Sequence, residues 1–201
     1  MNPVFTIGHS SHSLEAFLAL LARHGVTALG DVRSQPYSRR FPHFCADPLR
    51  QALKAAGLAY VFLGKELGAR SDDPACLVEG QVDYELLART GRFVQGIQRV
   101  REGAGAHRVA LMCAEREPLD CHRALLVARR LHADGLEVRH ILADGGLEAH
   151  AESETRLRAM MGLPVADFFS DAAETLAAAY RLRARKLAFQ CSSTSDAEES
   201  A

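Results

Sequence analysis

The sequence has little excess charge of either sign and no long apolar run. Its 24 Lys and Arg and 25 Asp and Glu give a formal net charge of −1, so bulk charge supplies no attraction to nucleic acid or membranes. No apolar stretch reaches the length of a transmembrane helix, and residues 1–5 lack the charged and apolar segments of a secretory signal. We therefore expect a cytoplasmic protein with no membrane partner.

Several familiar cysteine motifs are also missing. The five cysteines are odd in number and widely spaced, which favours free thiols over a disulfide framework. Cys113 and Cys121 form no Cys-x-x-Cys redox pair, and they lack the short gap that is typical of zinc ligands. The arginine that phosphatase and sulfurtransferase loops require is replaced by Leu119. We therefore predict no metal site, and the patterns specify no cofactor.

What the sequence does contain is an alternation of strand and helix patterns. Of its 201 residues, 48% are hydrophobic. Runs of strand formers occur at residues 4–7, 28–32, 60–63, 108–113 and 138–142. The order predicts an α/β fold: a single three-layer domain over residues 1–190, with a mostly parallel central sheet of about five strands flanked by helices. Residues 191–201 are predicted to be a disordered tail.

Helix boundaries follow from capping residues. Ser13 is the predicted N-cap of the first helix, and Gly25 is its predicted end. Asp47 is the predicted N-cap of the second helix, and Asp83 is predicted to cap one continuous helix that reaches Val100. The remaining helices are predicted at residues 121–133, with Asp120 as N-cap, and at residues 167–189.

Ionisable residues follow every predicted strand, whereas the strand interiors are almost purely apolar. They are His9, Asp31, Arg33, Lys65, Glu66, Cys113, Glu115 and Asp144. In parallel α/β sheets, ligands bind outside the carboxyl ends of the strands. We therefore expect several of these side chains to share one site.

The turn between the fourth strand and the next helix combines two thiols, an imidazole, a guanidinium and a carboxylate: Cys113, Glu115, Cys121, His122 and Arg123. With Asp120 as N-cap, two basic residues lie in the first helical turn and oppose the helix dipole, at about 0.3–1 kcal/mol each. An anion held by Arg123 and free N–H groups would reverse this penalty. The alternative is an ion pair between Arg123 and a nearby carboxylate such as Glu115, Glu117 or Asp31, with no ligand.

The thiols have two interpretations apart from a metal site, which would bring His9, Cys113, Cys121 and His122 together and which the missing short spacing disfavours. The helix N-terminus and neighbouring cations would lower the pKa of Cys121, which suits a nucleophile or a redox thiol, whereas Asp120 would raise it. Cysteines at strand ends are also among the most buried residues, so Cys113 and Cys121 could be inert packing groups.

The loop after the second strand interleaves arginine with aromatic residues: Arg33, Tyr37, Arg39, Arg40, Phe41, His43 and Phe44. Such a pattern suits phosphate contacts and base stacking. Alternatively, Phe41 and Phe44 pack the loop onto the domain while the arginines remain solvated. We expect Arg33 to contact a ligand directly.

Several segments together resemble the domain-of-unknown-function 488 family of uncharacterised prokaryotic proteins. They are residues 6–10 (Thr-Ile-Gly-His-Ser), 31–34 (Asp-Val-Arg-Ser), 41–44 (Phe-Pro-His-Phe), 57–60 (Gly-Leu-Ala-Tyr), 63–68 (Leu-Gly-Lys-Glu-Leu-Gly), 113–115 (Cys-Ala-Glu) and 121–123 (Cys-His-Arg). The resemblance implies an α/β fold and a site near these motifs. It implies no particular activity.

Two functional hypotheses follow, and the near-zero net charge slightly favours the first. In the first, the protein is an enzyme that acts on a small anionic substrate, phosphorylated or nucleotide-like, with thiol assistance. Catalysis is assigned to Cys121, Cys113, Asp31 and Glu115, and substrate binding to His9, Arg33, Arg39, His122 and Arg123. In the second, it is a non-catalytic module that binds a nucleotide or single-stranded nucleic acid. The oligomeric state is not indicated.

Overall fold

The computed structural model describes residues 2–165 and 171–191. Within them the chain forms these strands: β1 (Val4–Gly8), β2 (Ala28–Asp31), β3 (Ala59–Phe62), β4 (Leu77–Val78), β5 (Gln81–Val82), β6 (Val109–Cys113), β7 (Val138–Ile141) and β8 (Leu147–Ala149). Six of them form one sheet in the order β3-β2-β6-β1-β7-β8, and β4 pairs with β5 separately. All neighbours in the main sheet are parallel except β7 and β8.

The mostly parallel α/β sheet predicted from the sequence is confirmed, and each of the five predicted strands agrees with the observed one to within one residue at each end. The sixth strand, β8, was not predicted because its three residues are partly exposed and form no apolar run. The register brings Gly8 level with Cys113 and Asp31 level with Met112. The carboxyl ends of β1, β2 and β6 therefore reach the same edge of the sheet.

The α-helices are α1 (Leu14–Arg23), α2 (Ala46–Ala55), α3 (Gly64–Leu67), α4 (Tyr84–Leu87), α5 (Gly91–Ala106), α6 (Arg129–Ala133), α7 (His150–Met160) and α8 (Ala172–Leu187). Shorter turns of 3₁₀ helix occur at Pro42–Phe44, Pro74–Cys76 and Pro118–Asp120, and Arg123–Ala128 is π-helical. No helix in the described residues has both the length and the apolar character needed to traverse a bilayer.

The two faces of the sheet bury separate apolar clusters. Phe5 and Ile7 of β1 pack with the apolar side chains of α1 and α2 on one face. Val4, on the opposite face, belongs to a larger cluster that takes in side chains of α3, α5, α6, α7 and α8. Because both faces are covered, the strands are apolar at nearly every position. The result is the expected three-layer arrangement.

Several helix boundaries differ from the sequence predictions. Ser13 does cap α1, since its Oγ accepts the Ala16 N–H at 3.2 Å. The prediction for Asp47 was wrong, because α2 begins at Ala46, after Cys45. The single helix predicted from Asp83 is in fact two helices. Asp83 caps α4, and a separate N-cap, Thr90, starts α5.

The prediction that Asp120 caps the next helix was also wrong. Asp120 ends the Pro118–Asp120 turn, and its carboxylate forms an ion pair with Arg183. Cys121 is extended, and helical backbone begins only at His122, which precedes the π-helical segment. Helix α8 is capped by Asp171. Residues 167–170 of the predicted last helix and residues 192–201 of the predicted tail lie outside the described residues.

Candidate functional site

A cavity of about 760 Å³ opens at the carboxyl ends of β1, β2 and β6. Its lining includes six side chains that the sequence assigned to the site: His9, Arg33, Cys113, Glu115, Cys121 and His122. The convergence arises because parallel neighbouring strands end at one edge of the sheet.

Asp31 and Arg33 form a buried ion pair at the base of this cavity. Asp31 Oδ1 accepts the Arg33 Nε–H at 2.9 Å, and Oδ2 accepts Nη2–H at 2.6 Å and the Tyr60 hydroxyl at 2.9 Å. Although burial disfavours the charge, the hydrogen bonds and charge of Asp31 raise the pKa of Arg33. The guanidinium therefore remains cationic and is held in one orientation.

His9 lies beside Arg33 and is neutral. Its Nδ1 is 3.0 Å from the Ser10 carbonyl oxygen, and its Nε2 is 3.3 Å from Arg33 Nη1. A carbonyl can only accept, so Nδ1 carries the proton and Nε2 accepts from Arg33. Burial and then the charge of Arg33 lower the pKa of His9 to about 4. The ring also stacks on Phe44 at 4.3 Å between centroids.

The chain reaches this position through a close backbone approach. A Cβ on Gly8 would lie 1.8 Å from the Glu115 carbonyl oxygen, so a side chain does not fit there. Two residues later, Ser10 has a φ of 47° and lines the cavity. A left-handed conformation at a non-glycine residue is uncommon and tends to occur at functional sites.

Two thiols and an imidazole form a buried group at the end of β6. His122 Nδ1 lies 3.7 Å from Cys113 Sγ and 3.8 Å from Cys121 Sγ. The three atoms all lie within 4.8 Å of one another. The other imidazole nitrogen, Nε2, is 3.1 Å from the Val32 carbonyl oxygen. The groups that the sequence placed in one turn are thus in direct contact.

Each ionisable group in this cluster changes the pKa of its neighbours. Burial disfavours the Cys121 thiolate, but a hydrogen bond with Cys113 and the charges of Arg123 and His122 hold the pKa of Cys121 well below its usual value. The same hydrogen bond, with burial, raises the pKa of Cys113. Burial and then the Cys121 charge raise the pKa of Glu115. Cys121 Sγ and Glu115 Oε2 are 2.9 Å apart, within hydrogen-bonding distance.

Arg123 does not take the position expected from the sequence. Its side chain is fully buried, and it donates to the carbonyl oxygens of Glu115 at 2.6 Å and Arg116 at 3.1 Å. It does not line the cavity. Neither an anion contact nor an ion pair with a carboxylate describes this geometry. Arg123 instead holds the loop that follows β6.

The arginines at the mouth of the cavity differ in part from those predicted. Arg39 is exposed and does not contribute to the lining, whereas its neighbour Arg40 does. Arg70 also lines the mouth, where it donates to Gln35 Oε1 at 3.1 Å. No sequence pattern identified Arg70, because it lies in an irregular segment and reaches the site only through the fold.

A second buried polar chain, also missed by sequence reasoning, lies apart from the cavity. The Tyr180 hydroxyl is 3.0 Å from Glu154 Oε1 and 2.9 Å from His150 Nε2. His150 Nδ1 is 3.0 Å from His140 Nε2, and His140 Nδ1 is 2.7 Å from Thr6 Oγ1. With Tyr180 donating to the carboxylate, each imidazole donates through Nε2 and accepts through Nδ1. Both histidines are therefore neutral in this arrangement.

The arrangement at the cavity combines a fixed cation, a neutral imidazole and a thiol–imidazole group in one hollow. Comparison with curated proteins and with solved structures yields no match. A family model, the domain of unknown function DUF488, matches residues 13–130. The match covers more than half of the chain and includes Asp31, Arg33, Cys113 and the Cys121–Arg123 segment. The chain therefore belongs to the DUF488 family.

Proposed function

We propose that the protein is an enzyme that acts on a small anionic substrate, phosphorylated or nucleotide-like, in the cavity at the carboxyl ends of the strands. The observation that carries the proposal is the position of Arg33, a buried cation oriented by Asp31, on the same cavity as Cys113, Cys121 and His122. A binding group and a reactive group thus face one hollow.

The charges around the cavity favour an anion. Arg33, Arg40 and Arg70 line the cavity. Arg33 is already paired with the Asp31 carboxylate, so Arg40 and Arg70 supply most of the positive charge that an incoming anion meets. Of the two carboxylates in the lining, Asp120 is paired with Arg183, and Glu115 contacts the Cys121 thiol. Arginine suits phosphate because its planar donors bind two oxygens at once.

We assign the chemical step to the thiol–imidazole group of Cys113, Cys121 and His122. Glu115 exchanges a proton with Cys121. For Asp31 we propose a positioning role in place of the catalytic one expected from the sequence. Its two oxygens are occupied by Arg33 and Tyr60, and it is fully buried, so we assign it to positioning Arg33. The five free cysteines are consistent with a reducing compartment, and we place the protein in the cytoplasm.

A thermal-shift screen with phosphorylated metabolites and nucleotides tests the binding step. A ligand at 100 times its Kd should raise the Tm of the wild type by about 5–10 °C. The Arg40→Ala/Arg70→Ala double variant should lose most of this shift. The matched control is Arg92→Ala, an exposed arginine on α5 away from the cavity. Equal stabilisation of all three proteins by every hit would exclude the cavity as the binding site.

Turnover of a hit tests the enzymatic step. We expect wild-type protein to convert the ligand, and the Cys121→Ser variant to bind it with at least about a hundredfold lower rate of conversion, as is typical when a reactive group is removed. Binding without conversion in the wild type would favour the non-catalytic alternative.

That alternative, a nucleotide or single-stranded nucleic-acid binding module, has one observation in its favour. Tyr37 is 69% exposed and lines the same cavity as Arg40. An exposed ring and a cation on one cavity suit base stacking and phosphate contact. This alternative predicts that a labelled oligonucleotide binds more weakly as salt increases, and more weakly to Tyr37→Ala and Arg39→Ala than to Arg92→Ala. Equal affinity at low and high salt would exclude it.

A further inference from the structure

The orientation of His122 is fixed by a backbone carbonyl. The Val32 carbonyl oxygen accepts from His122 Nε2 at 3.1 Å, so the proton of a neutral ring resides on Nε2. The lone pair of Nδ1 then points at the sulfur atoms of Cys113 and Cys121. Metal-binding histidines usually have this arrangement, in which the second nitrogen donates to a carbonyl or carboxylate.

The separations between these atoms match a tetrahedral zinc site. Zinc–sulfur bonds of about 2.3 Å and zinc–nitrogen bonds of about 2.0–2.1 Å place sulfur and nitrogen about 3.5 Å apart at the tetrahedral angle. The observed separations from His122 Nδ1 are 3.7 Å to Cys113 Sγ and 3.8 Å to Cys121 Sγ. All three atoms also lie within 4.8 Å of one another, so one ion can contact all three after adjustment of the side chains.

The surroundings of the group also suit a thiolate-bound cation. The Arg123 backbone N–H donates to Cys121 Sγ at 3.4 Å, which stabilises negative charge on that sulfur. Two thiolates would balance the charge of Zn²⁺. Glu115 Oε2, 2.9 Å from Cys121 Sγ, lies next to the same position and lines the cavity. A fourth coordination position would therefore face the cavity rather than the core.

We propose that Cys113, Cys121 and His122 bind one Zn²⁺ ion whose open coordination position faces the cavity. Binding forms two Zn–S bonds and one Zn–N bond and releases the thiol protons to solvent, with no change of oxidation state. An anionic oxygen or the Glu115 carboxylate occupies the fourth position. This inference rests on the proposed function, from which it takes the anionic substrate. In it, the two thiols bind the zinc ion, and the zinc ion contacts the anion.

The sequence prediction of no metal site relied on ligand spacing. Structural zinc motifs usually carry two cysteines a few residues apart on one turn. Here the first sulfur comes from the end of β6 and the second from the far side of the loop. The fold supplies the proximity that the spacing does not show.

Cobalt titration of the reduced, full-length protein tests the site, because Co²⁺ occupies zinc sites and reports thiolate ligands through near-ultraviolet charge-transfer absorption. We expect one equivalent of Co²⁺ to bind with the absorption of two thiolates in a tetrahedral site, and Zn²⁺ to displace it. Cys113→Ser and Cys121→Ser should each weaken binding at least about tenfold. The Cys45→Ser variant, whose partly exposed thiol lies outside the group, should bind as the wild type does.

X-ray absorption of the zinc-loaded wild type provides a measurement that needs no variant. The expected shell has two sulfur scatterers at about 2.3 Å and one or two nitrogen or oxygen scatterers at about 2.0–2.1 Å. Absence of charge-transfer absorption, or a shell of nitrogen and oxygen only, would overturn the zinc site. If the ligand-induced rise in Tm still depended on Arg40 and Arg70, the proposal of an anion-binding cavity would stand without the zinc site. Metal binding without any ligand shift would instead overturn the proposed substrate class.

Discussion

Asp31 and Arg33 are two residues apart in the chain and are joined by paired hydrogen bonds, with Oδ1 accepting from Nε at 2.9 Å and Oδ2 from Nη2 at 2.6 Å. The geometry is bidentate, the strongest form of an arginine–carboxylate contact. Asp31 thereby occupies the edge of the guanidinium formed by Nε and Nη2, and Nη1 remains beside His9 at the cavity. Arg33 is therefore oriented before any ligand arrives, which lowers the entropic cost of binding.

The first prediction concerns this pair. Asp31→Ala leaves the Arg33 cation buried without its partner, and we expect the free energy of unfolding to fall by about 3–5 kcal/mol. Urea denaturation measures the change. The control is Asp47→Ala, which removes an exposed partner of Arg50 and should cost at most about 1 kcal/mol. Similar losses in the two variants would mean that the buried pair contributes no more than a surface one.

The second prediction concerns the backbone approach at the end of β1. Gly8→Ala would place a methyl group 1.8 Å from the Glu115 carbonyl oxygen, so the loop after β6 must move. We expect a loss of about 1–3 kcal/mol or more from overpacking. Gly105→Ala in α5 is the control, since nothing lies within 4 Å of the added Cβ and alanine favours helix by about 0.5–1 kcal/mol. Chemical denaturation measures the change in the free energy of unfolding of each variant. A change of the same sign in both variants would contradict this interpretation.

The third prediction is a loss of stability in mild acid. Burial, followed by neighbouring positive charge, lowers the pKa of His140 well below its usual value of 6.5 and that of His150 to about 3. The unfolded chain therefore binds more protons than the folded chain below about pH 6.5, and stability falls as the pH falls. From pH 7 to pH 5 each histidine should cost up to about 2 kcal/mol.

Urea denaturation at a series of pH values tests this dependence. His150→Gln should flatten the slope between pH 7 and pH 5, because it removes one of the buried histidines, with His140 and His9, that protonate on unfolding. His12→Gln is the control, since His12 lies on α1's N-terminal side and is only partly buried. A slope that is unchanged in His150→Gln and reduced in His12→Gln would place the effect elsewhere.

Much of the fold could be predicted from the sequence because local signals agreed with the tertiary structure. The apolar runs of β1 and β6 are continuous since both faces of the sheet are covered. Ser13 caps a helix in the sequence and in the structure. A capping residue predicts a helix start incorrectly when its side chain can bind another partner instead. Asp120 pairs with Arg183, distant in sequence, instead of starting a helix.

The candidate site could be predicted only where strand order determines proximity. His9, Arg33 and Cys113 follow strands that are adjacent in the sheet, so one rule of α/β folds places them together. The buried histidines could not be predicted in this way. His140 lies within a strand and His150 at the start of α7, and only the packing of α7 and α8 brings His150 to Tyr180. The local sequence around each histidine does not predict such tertiary contacts.

The fourth prediction separates a structural arginine from ligand-binding ones. Arg123→Leu leaves the carbonyl oxygens of Glu115 and Arg116 without their side-chain donor. Glu115 and Arg116 are exposed residues, so water can replace part of the lost hydrogen bonding, and we expect the free energy of unfolding to fall by about 1–3 kcal/mol. Arg40→Ala and Arg70→Ala remove exposed side chains and should change it by at most about 0.5 kcal/mol.

The ligand-induced shift should follow the opposite order. Any hit from the thermal-shift screen should stabilise Arg123→Leu by nearly as much as the wild type, measured from each protein's own Tm, provided that the loop after β6 stays folded. The Arg40→Ala/Arg70→Ala protein should keep its Tm and lose the shift. If Arg123→Leu kept its stability and lost the shift, its guanidinium would have to reach the ligand. The hydrogen bonds to the two carbonyls would then be broken in the bound state, and Arg123 would return to the binding residues.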